Sequence, residues 1–222
     1  MKRQSILVGW PLRDSKRYRF AIPNAIWEHK LKPMEFMFFS YLSYCCSNQS
    51  SDVISPDDIA RGICVTADTV KKHLSILINR GLVSADLSLT SSLQCGTNKK
   101  FFSLPNEIFL LKLPPSAFMV YAYLLLIEDR KTHTCHPSYN TIAAATGMSK
   151  NTALKSISVL LETGLITVEP SSYFDDRGMK WKGNNLYTIL PIHSAVDIFH
   201  QRQLRKLELD TARSSLATQT AV

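Results

Sequence analysis

The sequence lacks several patterns that would assign it to a familiar class of protein. Its five cysteines are odd in number and contain no C-x-x-C pair, which argues against a disulfide framework and a zinc ribbon. No apolar run reaches the roughly 18 residues of a membrane span, and the apolar stretch at residues 6–8 is too short for a signal peptide. We therefore expect a cytoplasmic chain without a membrane partner, whose cysteines serve as small buried apolar residues.

The chain also lacks the short motifs of common catalytic sites. Neither the phosphate-binding G-x-x-x-x-G-K-[ST] nor the nucleophile motif G-x-S-x-G occurs. His133, Cys135 and His136 lie close together, but their spacing fits no established zinc pattern and no second cluster accompanies them. We expect no enzyme activity, no catalytic residue, no bound metal and no cofactor.

An internal repeat is the most informative feature that is present. Residues 20–27 (FAIPNAIW) align with residues 102–109 (FSLPNEIF) at an offset of 82, and after one inserted residue the register continues at 83. Similarity at a fixed offset is the mark of a duplicated structural unit. The sequence therefore predicts a basic arm at 1–19, repeat 1 at 20–101, repeat 2 at 102–191, and a C-terminal helix with a flexible tail at 192–222.

Each repeat predicts three helices followed by a β-hairpin, which is the order of a winged helix. Proline begins the first helix, and serine or threonine caps the second and third. Glycine follows the third helix at Gly81 and Gly164. The hairpin strands are predicted at residues 82–84 with 101–104 and at 165–168 with 186–190. The predicted fold class is mainly α with small β-hairpin wings (α+β), arranged as two tandem winged-helix domains plus a C-terminal helix.

The second and third helices of repeat 2 carry the pattern of a helix-turn-helix. Ala143 permits a close helix crossing, Gly147 permits the turn, and Ser149 caps the next helix. A recognition helix in this position meets the major groove, where asparagine can bind adenine and lysine can bind guanine or phosphate. The residues left on its outer face are Lys150, Asn151, Lys155 and Ser158.

The same register in repeat 1 presents a different outer face. Cys64 replaces the turn glycine, and Asp68 would repel phosphate at the beginning of the helix. Lys71 and Lys72 remain available on that face. Repeat 1 is therefore expected either to bind a different half-site or to make weaker contact.

Residues 114–190 resemble the helix-turn-helix modules of bacterial mobile-element and phage replication initiators and related transcriptional regulators. The resemblance rests on HPSYxxIA at 136–143, GMSKNT at 147–152 and LLExGLI at 160–166. It implies double-stranded DNA binding through the helix at 149–162. It reaches repeat 1 only through the internal repeat, and it covers neither the arm nor the tail.

The net charge of +8 is concentrated in the arm. Residues 1–19 contain six basic residues and one acidic residue, whereas each repeat contains eight basic and seven acidic residues. An arm of this composition suits a phosphate backbone or a minor groove. The DNA contacts predicted from the arm, the third helices and the wings are Arg13, Lys16, Arg17, Arg19, Thr66, Thr69, Lys71, Lys72, Lys99, Lys100, Ser149, Lys150, Asn151, Thr152, Lys155, Arg177, Lys180 and Lys182.

The sequence as a whole predicts a double-stranded DNA-binding protein in which the two repeats act as a built-in pseudo-dimer. A replication initiator and a transcriptional regulator of a plasmid, phage or other mobile element remain equally open. The alternative is a winged-helix scaffold for protein interactions in a nucleoprotein assembly, favoured by Asp57, Asp58 and Asp68 in repeat 1. Residues 194–213 predict an amphipathic helix that packs across the domains or mediates self-association, and residues 214–222 are predicted to be disordered.

Overall fold

The computed structural model describes residues 18–48, 55–90, 100–174 and 177–219. The helices are α1 (Pro33–Asn48), α2 (Pro56–Gly62), α3 (Ala67–Asn79), α4 (Pro115–Ile127), α5 (Tyr139–Thr146), α6 (Lys150–Glu162) and α7 (Ile192–Gln219). The strands are β1 (Arg19–Pro23), β2 (Phe101–Pro105), β3 (Thr134–Cys135), β4 (Ile166–Glu169), β5 (Ser172–Phe174), β6 (Lys180–Lys182) and β7 (Leu186–Ile189). This composition confirms the predicted fold class, which was mainly α with small antiparallel sheets.

Positions 82 or 83 residues apart lie in equivalent elements of the two halves. Helices α3 and α6 each contain 13 residues, and their caps Thr66 and Ser149 accept a hydrogen bond from the backbone N–H three residues later. Helices α1 and α4 both begin at a proline, as predicted. The 3₁₀ segments Asn24–His29 and Asn106–Leu111 both end at a lysine in the left-handed conformation.

The first strands of the two halves pair with each other in an antiparallel sheet. Ala21 lies opposite Ser103, its equivalent, while Phe20 faces Leu104 and Ile22 faces Phe102. The pairing is unchanged when equivalent residues are exchanged, so an approximate twofold axis passes between Ala21 and Ser103. The predicted pairing of residues 101–104 with 82–84 is therefore wrong. Pairing β1 with β2 instead buries the apolar face of both short strands, which local patterning does not reveal.

Aromatic side chains repeat this twofold relation in the core between α1 and α4. The rings of the equivalent residues Phe36 and Phe118 lie 6.1 Å apart. Trp27 makes an edge contact with Tyr123 at 5.7 Å, and the equivalent pair Phe109 and Tyr41 makes one at 5.0 Å. Each such pair contributes about 0.5–1.5 kcal/mol beyond its buried area. One continuous core therefore joins the two halves.

The hairpin sheets of the two halves differ. In the second half, β4 pairs with β7 as predicted, and β7 also pairs with β3. The sequence did not predict β3, because two residues are too few to show a strand period. Strands β5 and β6 form a further pair beyond β4 and β7. In the first half, the described residues of this region form only an isolated bridge between Val83 and Leu89.

Helix α7 packs against the second half and then continues into solvent. Ile192 and Ala195 are buried, and the Arg202 guanidinium donates to the Glu162 carbonyl at 2.6 Å. The predicted helix is confirmed, and it continues to Gln219 into the segment predicted to be disordered, since no glycine or proline interrupts it. Within the part of the chain that the structure describes, no helix combines the length and apolar character needed to cross a membrane.

The four described cysteines divide into two groups. Cys45 and Cys135 are buried, as predicted, whereas Cys46 and Cys64 are exposed. The prediction of uniform burial is therefore wrong for the latter two. Cys46 is in the last turn of α1 and Cys64 lies in the exposed turn between α2 and α3. Cys95 lies outside the described residues.

Candidate nucleic-acid interface

A helix, a tight turn and a second helix position the candidate site in the second half. The Ser138 hydroxyl accepts the backbone N–H of Thr141 at 3.0 Å and begins α5. Gly147 ends α5 with a φ of 65°, a left-handed conformation in which glycine avoids steric strain. The Ser149 hydroxyl then accepts the backbone N–H of Thr152 at 3.1 Å and begins α6. Local capping and a glycine therefore fix the direction of α6.

Helix α6 has a buried inner face and a polar outer face. Ala153, Ile157 and Leu160 are at most 2% exposed and face the core formed with α4 and α5. Asn151, Lys155 and Ser158 are exposed and lie four and then three residues apart, so they share one face of the helix. We call these three residues the α6 stripe. Lys150 is exposed beside it, in the first turn of α6.

Four of the predicted DNA contacts are hydroxyl groups that cap α6 and α3. The hydroxyls of Ser149 and Thr152 lie 2.8 Å apart, and the pair caps the helix. The hydroxyls of Thr66 and Thr69 form the same pair, 2.9 Å apart, at the beginning of α3. These four hydroxyls therefore already have a structural role in capping the N-termini of α3 and α6, independent of any contact with DNA.

The equivalent stripe on α3 differs from the α6 stripe at its first position. Lys72 and Ser75 of α3 correspond to Lys155 and Ser158, and both are exposed. Asp68 stands where α6 has Asn151, and Ala67 stands where α6 has Lys150. Lys71 is also exposed on α3. The first turn of α3 therefore has a negative side chain at Asp68 and no lysine. The first turn of α6 has the amide of Asn151 and the positive charge of Lys150.

Two titratable groups near α3 are shifted by their surroundings. His73 stacks on Phe38 with ring centroids 5.2 Å apart, and burial lowers the pKa of His73. The Ser55 hydroxyl and the Arg61 guanidinium lower the pKa of Asp58 by hydrogen bonding. Asp58 and Ser55 form a capping box at the start of α2, so this carboxylate has an internal structural role.

An ion pair between a buried carboxylate and a partly exposed guanidinium beside α3 was not predicted from the sequence. Glu35 in α1 is 5% exposed, and its carboxylate lies 3.0 Å from the Arg80 guanidinium at the C-cap of α3. Arg80 also donates to the His29 carbonyl, and the backbone N–H of Lys32 donates to Glu35 at 3.1 Å. The only sequence signal was a glutamate within the apolar beginning of α1.

Of the DNA contacts predicted in the N-terminal arm, the structure describes Arg19 but not the other three. Arg13, Lys16 and Arg17 lie outside the described residues, as does Lys99. Arg19 lies in β1 rather than in a separate arm, and its guanidinium donates to the Ser103 hydroxyl and carbonyl at 3.0 and 2.7 Å. Arg19 therefore has a direct role in joining the two halves.

The predicted wing contacts lie beside sheets. Lys100 is exposed, and its carbonyl accepts the backbone N–H of Asn24 at 3.0 Å, next to the β1–β2 sheet. Arg177 is exposed in the turn between β5 and β6, where Gly178 has a φ of 76°. Lys180 and Lys182 belong to β6. The lysines of the second wing thus follow a hairpin that extends beyond β4 and β7.

The histidine and cysteine cluster singled out above has other partners. Cys135 is buried in β3, and the His133 Nδ1 atom lies 3.4 Å from a carboxylate oxygen of Glu128. Among the described residues, no group of three or more histidine, cysteine, aspartate or glutamate side chains is arranged to hold a metal ion.

Of the comparisons with known proteins, the one against family models agrees with the geometry of the second half. A family model described as a helix-turn-helix domain matches residues 111–166, which include α4, α5 and α6. Among solved structures, the chain is similar to a possible transcriptional regulator from Methanosarcina mazei Go1, with 17% identity and a TM-score of 0.33. That match covers 54% of this chain and 94% of the other. A comparison with curated proteins finds no match. The family match supports a helix-turn-helix DNA-binding protein.

Proposed function

We propose that this protein binds double-stranded DNA sequence-specifically, with α6 in the major groove. The α6 stripe carries the proposal, because it presents Asn151 and Lys155 from the N-terminal part of a helix whose inner face is fully packed. Asn151 is suited to a bidentate contact with adenine, and Lys155 to guanine or phosphate. The N-terminal residues of a recognition helix are the ones that contact base edges.

The proposed target is an imperfect inverted repeat, with α3 at the second half-site. Twofold-related contacts between β1 and β2 and between Phe36 and Phe118 support this geometry. Two helices related by a twofold axis bind half-sites that run in opposite directions. The half-sites are unequal, because Asp68 replaces Asn151 and weakens the attraction of α3 for phosphate.

The basic arm and the wing supply contacts that do not depend on sequence. Arg13, Lys16 and Arg17 belong to a segment rich in positive charge, and Arg177 is exposed at the tip of the β5–β6 pair. We assign these side chains, with Lys180 and Lys182, to the phosphate backbone or the minor groove. The biological role proposed for this binding is replication initiation or transcriptional regulation of a plasmid, phage or other mobile element in the cytoplasm.

A second candidate function is a protein-interaction scaffold, with self-association through α7. Asp57 and Asp68 are exposed at the beginnings of α2 and α3, which suits a basic protein partner better than DNA. Leu204, Leu207 and Leu209 are 57–63% exposed on α7 and would be buried by a second subunit. Failure to retain DNA at low salt, with an oligomer in sedimentation velocity, would favour this function.

A double substitution in the α6 stripe tests the DNA-binding proposal. Asn151→Ala with Lys155→Ala should weaken binding to a selected target duplex by about 30-fold, because two base contacts of about 1 kcal/mol each are lost. Binding to random duplex should weaken only about threefold, and the slope of log K against log salt should fall by about 1. Fluorescence anisotropy over a salt series measures both affinities.

The matched control removes the same functional groups, an amide and an ammonium, from another helix. Gln201→Ala with Lys206→Ala takes one amide and one lysine from the exposed part of α7 and should leave the difference between target and random duplex unchanged. Equal losses on target and random duplex in the α6 variant would show that the stripe does not read sequence.

A further inference from the structure

Two grooves lie at equivalent places on either side of the twofold axis. Groove 1, of about 500 Å³, lies between the 3₁₀ segment of the first half and α4 and α5 of the second. Its walls include Trp27, Tyr123 and Ala144. Groove 2, of about 470 Å³, has Phe109, Tyr41 and Arg61 at the equivalent positions. Volumes of this size accommodate small organic ligands.

The two grooves differ in what covers them. Helix α7 contributes Phe199 and His200 to the lining of groove 2, while no residue of α7 lines groove 1. Phe199 is half-buried and packs against the core. The lining of groove 2 therefore already contains an aromatic side chain from α7, and groove 1 lacks that contribution.

The lining of groove 1 favours a particular chemistry. Its walls are mainly apolar and aromatic, none of its lining residues is acidic, and Lys30 and Lys32 are exposed at its edge. Trp27 contributes its indole ring system to these walls. Groove 2 differs in both respects. Phe109 replaces Trp27, so groove 2 has no indole, and its lining includes the acidic residue Glu107.

We infer that groove 1 binds a small planar aromatic anion, such as an aromatic carboxylate. The ring packs against the aromatic walls at Trp27 and Tyr123. The carboxylate lies toward Lys30 and Lys32, whose ammonium groups supply charge-assisted hydrogen bonds. An uncharged aromatic ring would make no ion pair with the two lysines. An aliphatic anion would make no aromatic contact with Trp27 and Tyr123.

Occupation of groove 1 is coupled to the position of α6. The groove is lined by the turn from Ala144 to Gly147, which leads into α6, and on the other side by residues of the first half. A ligand that contacts both changes how α6 sits relative to α3, and its effect on DNA affinity must be reciprocal. This last step rests on the proposed function, whereas ligand binding itself does not.

Isothermal titration of the full chain, without DNA, tests the site directly. The probe is 2-naphthoate, compared with neutral 2-naphthamide and with cyclohexanecarboxylate. We expect saturable one-to-one binding of 2-naphthoate that is at least tenfold tighter than that of either analogue. Lys30→Gln with Lys32→Gln should remove the preference for 2-naphthoate over 2-naphthamide and leave 2-naphthamide binding unchanged.

Variants at equivalent positions separate the two grooves. Ala144 is exposed, so Ala144→Trp fills groove 1 without disturbing the core and should weaken 2-naphthoate binding at least tenfold. Arg61→Trp places the same side chain in groove 2 and should leave 2-naphthoate binding unchanged. Circular dichroism confirms that both variants are folded.

Three results would overturn the inference. They are no saturable binding of 2-naphthoate at millimolar concentration, unchanged binding in Ala144→Trp, and self-association that Ala144→Trp abolishes, which would make a second copy the occupant. DNA affinity is measured separately with and without 2-naphthoate. A failed DNA assay with intact 2-naphthoate binding would contradict the proposed function alone, and the reverse would contradict the groove alone.

Discussion

Cys64 occupies a turn conformation that glycine adopts more easily. Its φ is 56°, and the equivalent residue of the second helix-turn-helix, Gly147, has a φ of 65°. A side chain in this left-handed region costs roughly 1–2 kcal/mol, because its Cβ approaches the following carbonyl oxygen. The first half therefore contains local strain at a position where the second half has none.

Substitution at these two equivalent positions should have opposite effects. Cys64→Gly should stabilise the protein by about 0.5 kcal/mol, because relief of strain exceeds the greater chain entropy of glycine in the unfolded state. Gly147→Ala should destabilise it by about 1 kcal/mol, although open space surrounds that position. Urea unfolding measures both changes, and a destabilised Cys64→Gly variant would contradict this reading of the turn.

The ion pair of Glu35 and Arg80 connects two elements of the first half and has no counterpart in the second. It joins the beginning of α1 to the end of α3, whereas Ala117 and Thr163 occupy the equivalent positions. Removal of one partner from a buried pair leaves an uncompensated charge, which costs more than the pair itself contributes. The position of α3 therefore depends on both partners.

A double-mutant cycle on this pair measures the dependence. Arg80→Thr alone should destabilise the protein by about 2 kcal/mol, since Glu35 is then buried without its partner and Arg80 is partly exposed. Glu35→Ala with Arg80→Thr should cost about 1 kcal/mol less than the single change, because the second half uses this combination.

Unfolding in urea provides the readout for the cycle. Arg61→Thr is the control, because it breaks an exposed ion pair with Asp58 and should leave the unfolding midpoint nearly unchanged. Strictly additive effects of Glu35→Ala and Arg80→Thr would show that the two side chains are not coupled.

Local signals predicted the elements well but not their partners. The caps at Thr66 and Ser149 and the prolines at the starts of α1 and α4 act within one helical turn, so the sequence alone located these helices. The pairing of β1 with β2 depends on residues about 80 positions apart, and no local pattern distinguishes it from a hairpin. Strand β3 was too short to predict. The outer faces of α3 and α6 followed from the helical period, whereas the position of Arg19 depended on the β1–β2 sheet.

At the scale of the whole molecule, the two halves form one unit with approximate twofold symmetry and unequal surfaces. The symmetry lies in the core, at Phe36 with Phe118 and in the β1–β2 register. The inequality lies outside, where Asp68 replaces Asn151 and where α7 covers groove 2 but not groove 1. A joined pair of binding surfaces raises the effective concentration of the second once the first is bound.

Selection of binding sites from a random duplex library tests the central claim most directly. The account predicts one enriched motif, an imperfect inverted repeat whose stronger half-site is lost when Asn151 and Lys155 are both changed to alanine. Selection of two half-sites in the same direction would contradict the twofold arrangement on DNA. No enrichment over random duplex at low salt would contradict sequence-specific DNA binding itself.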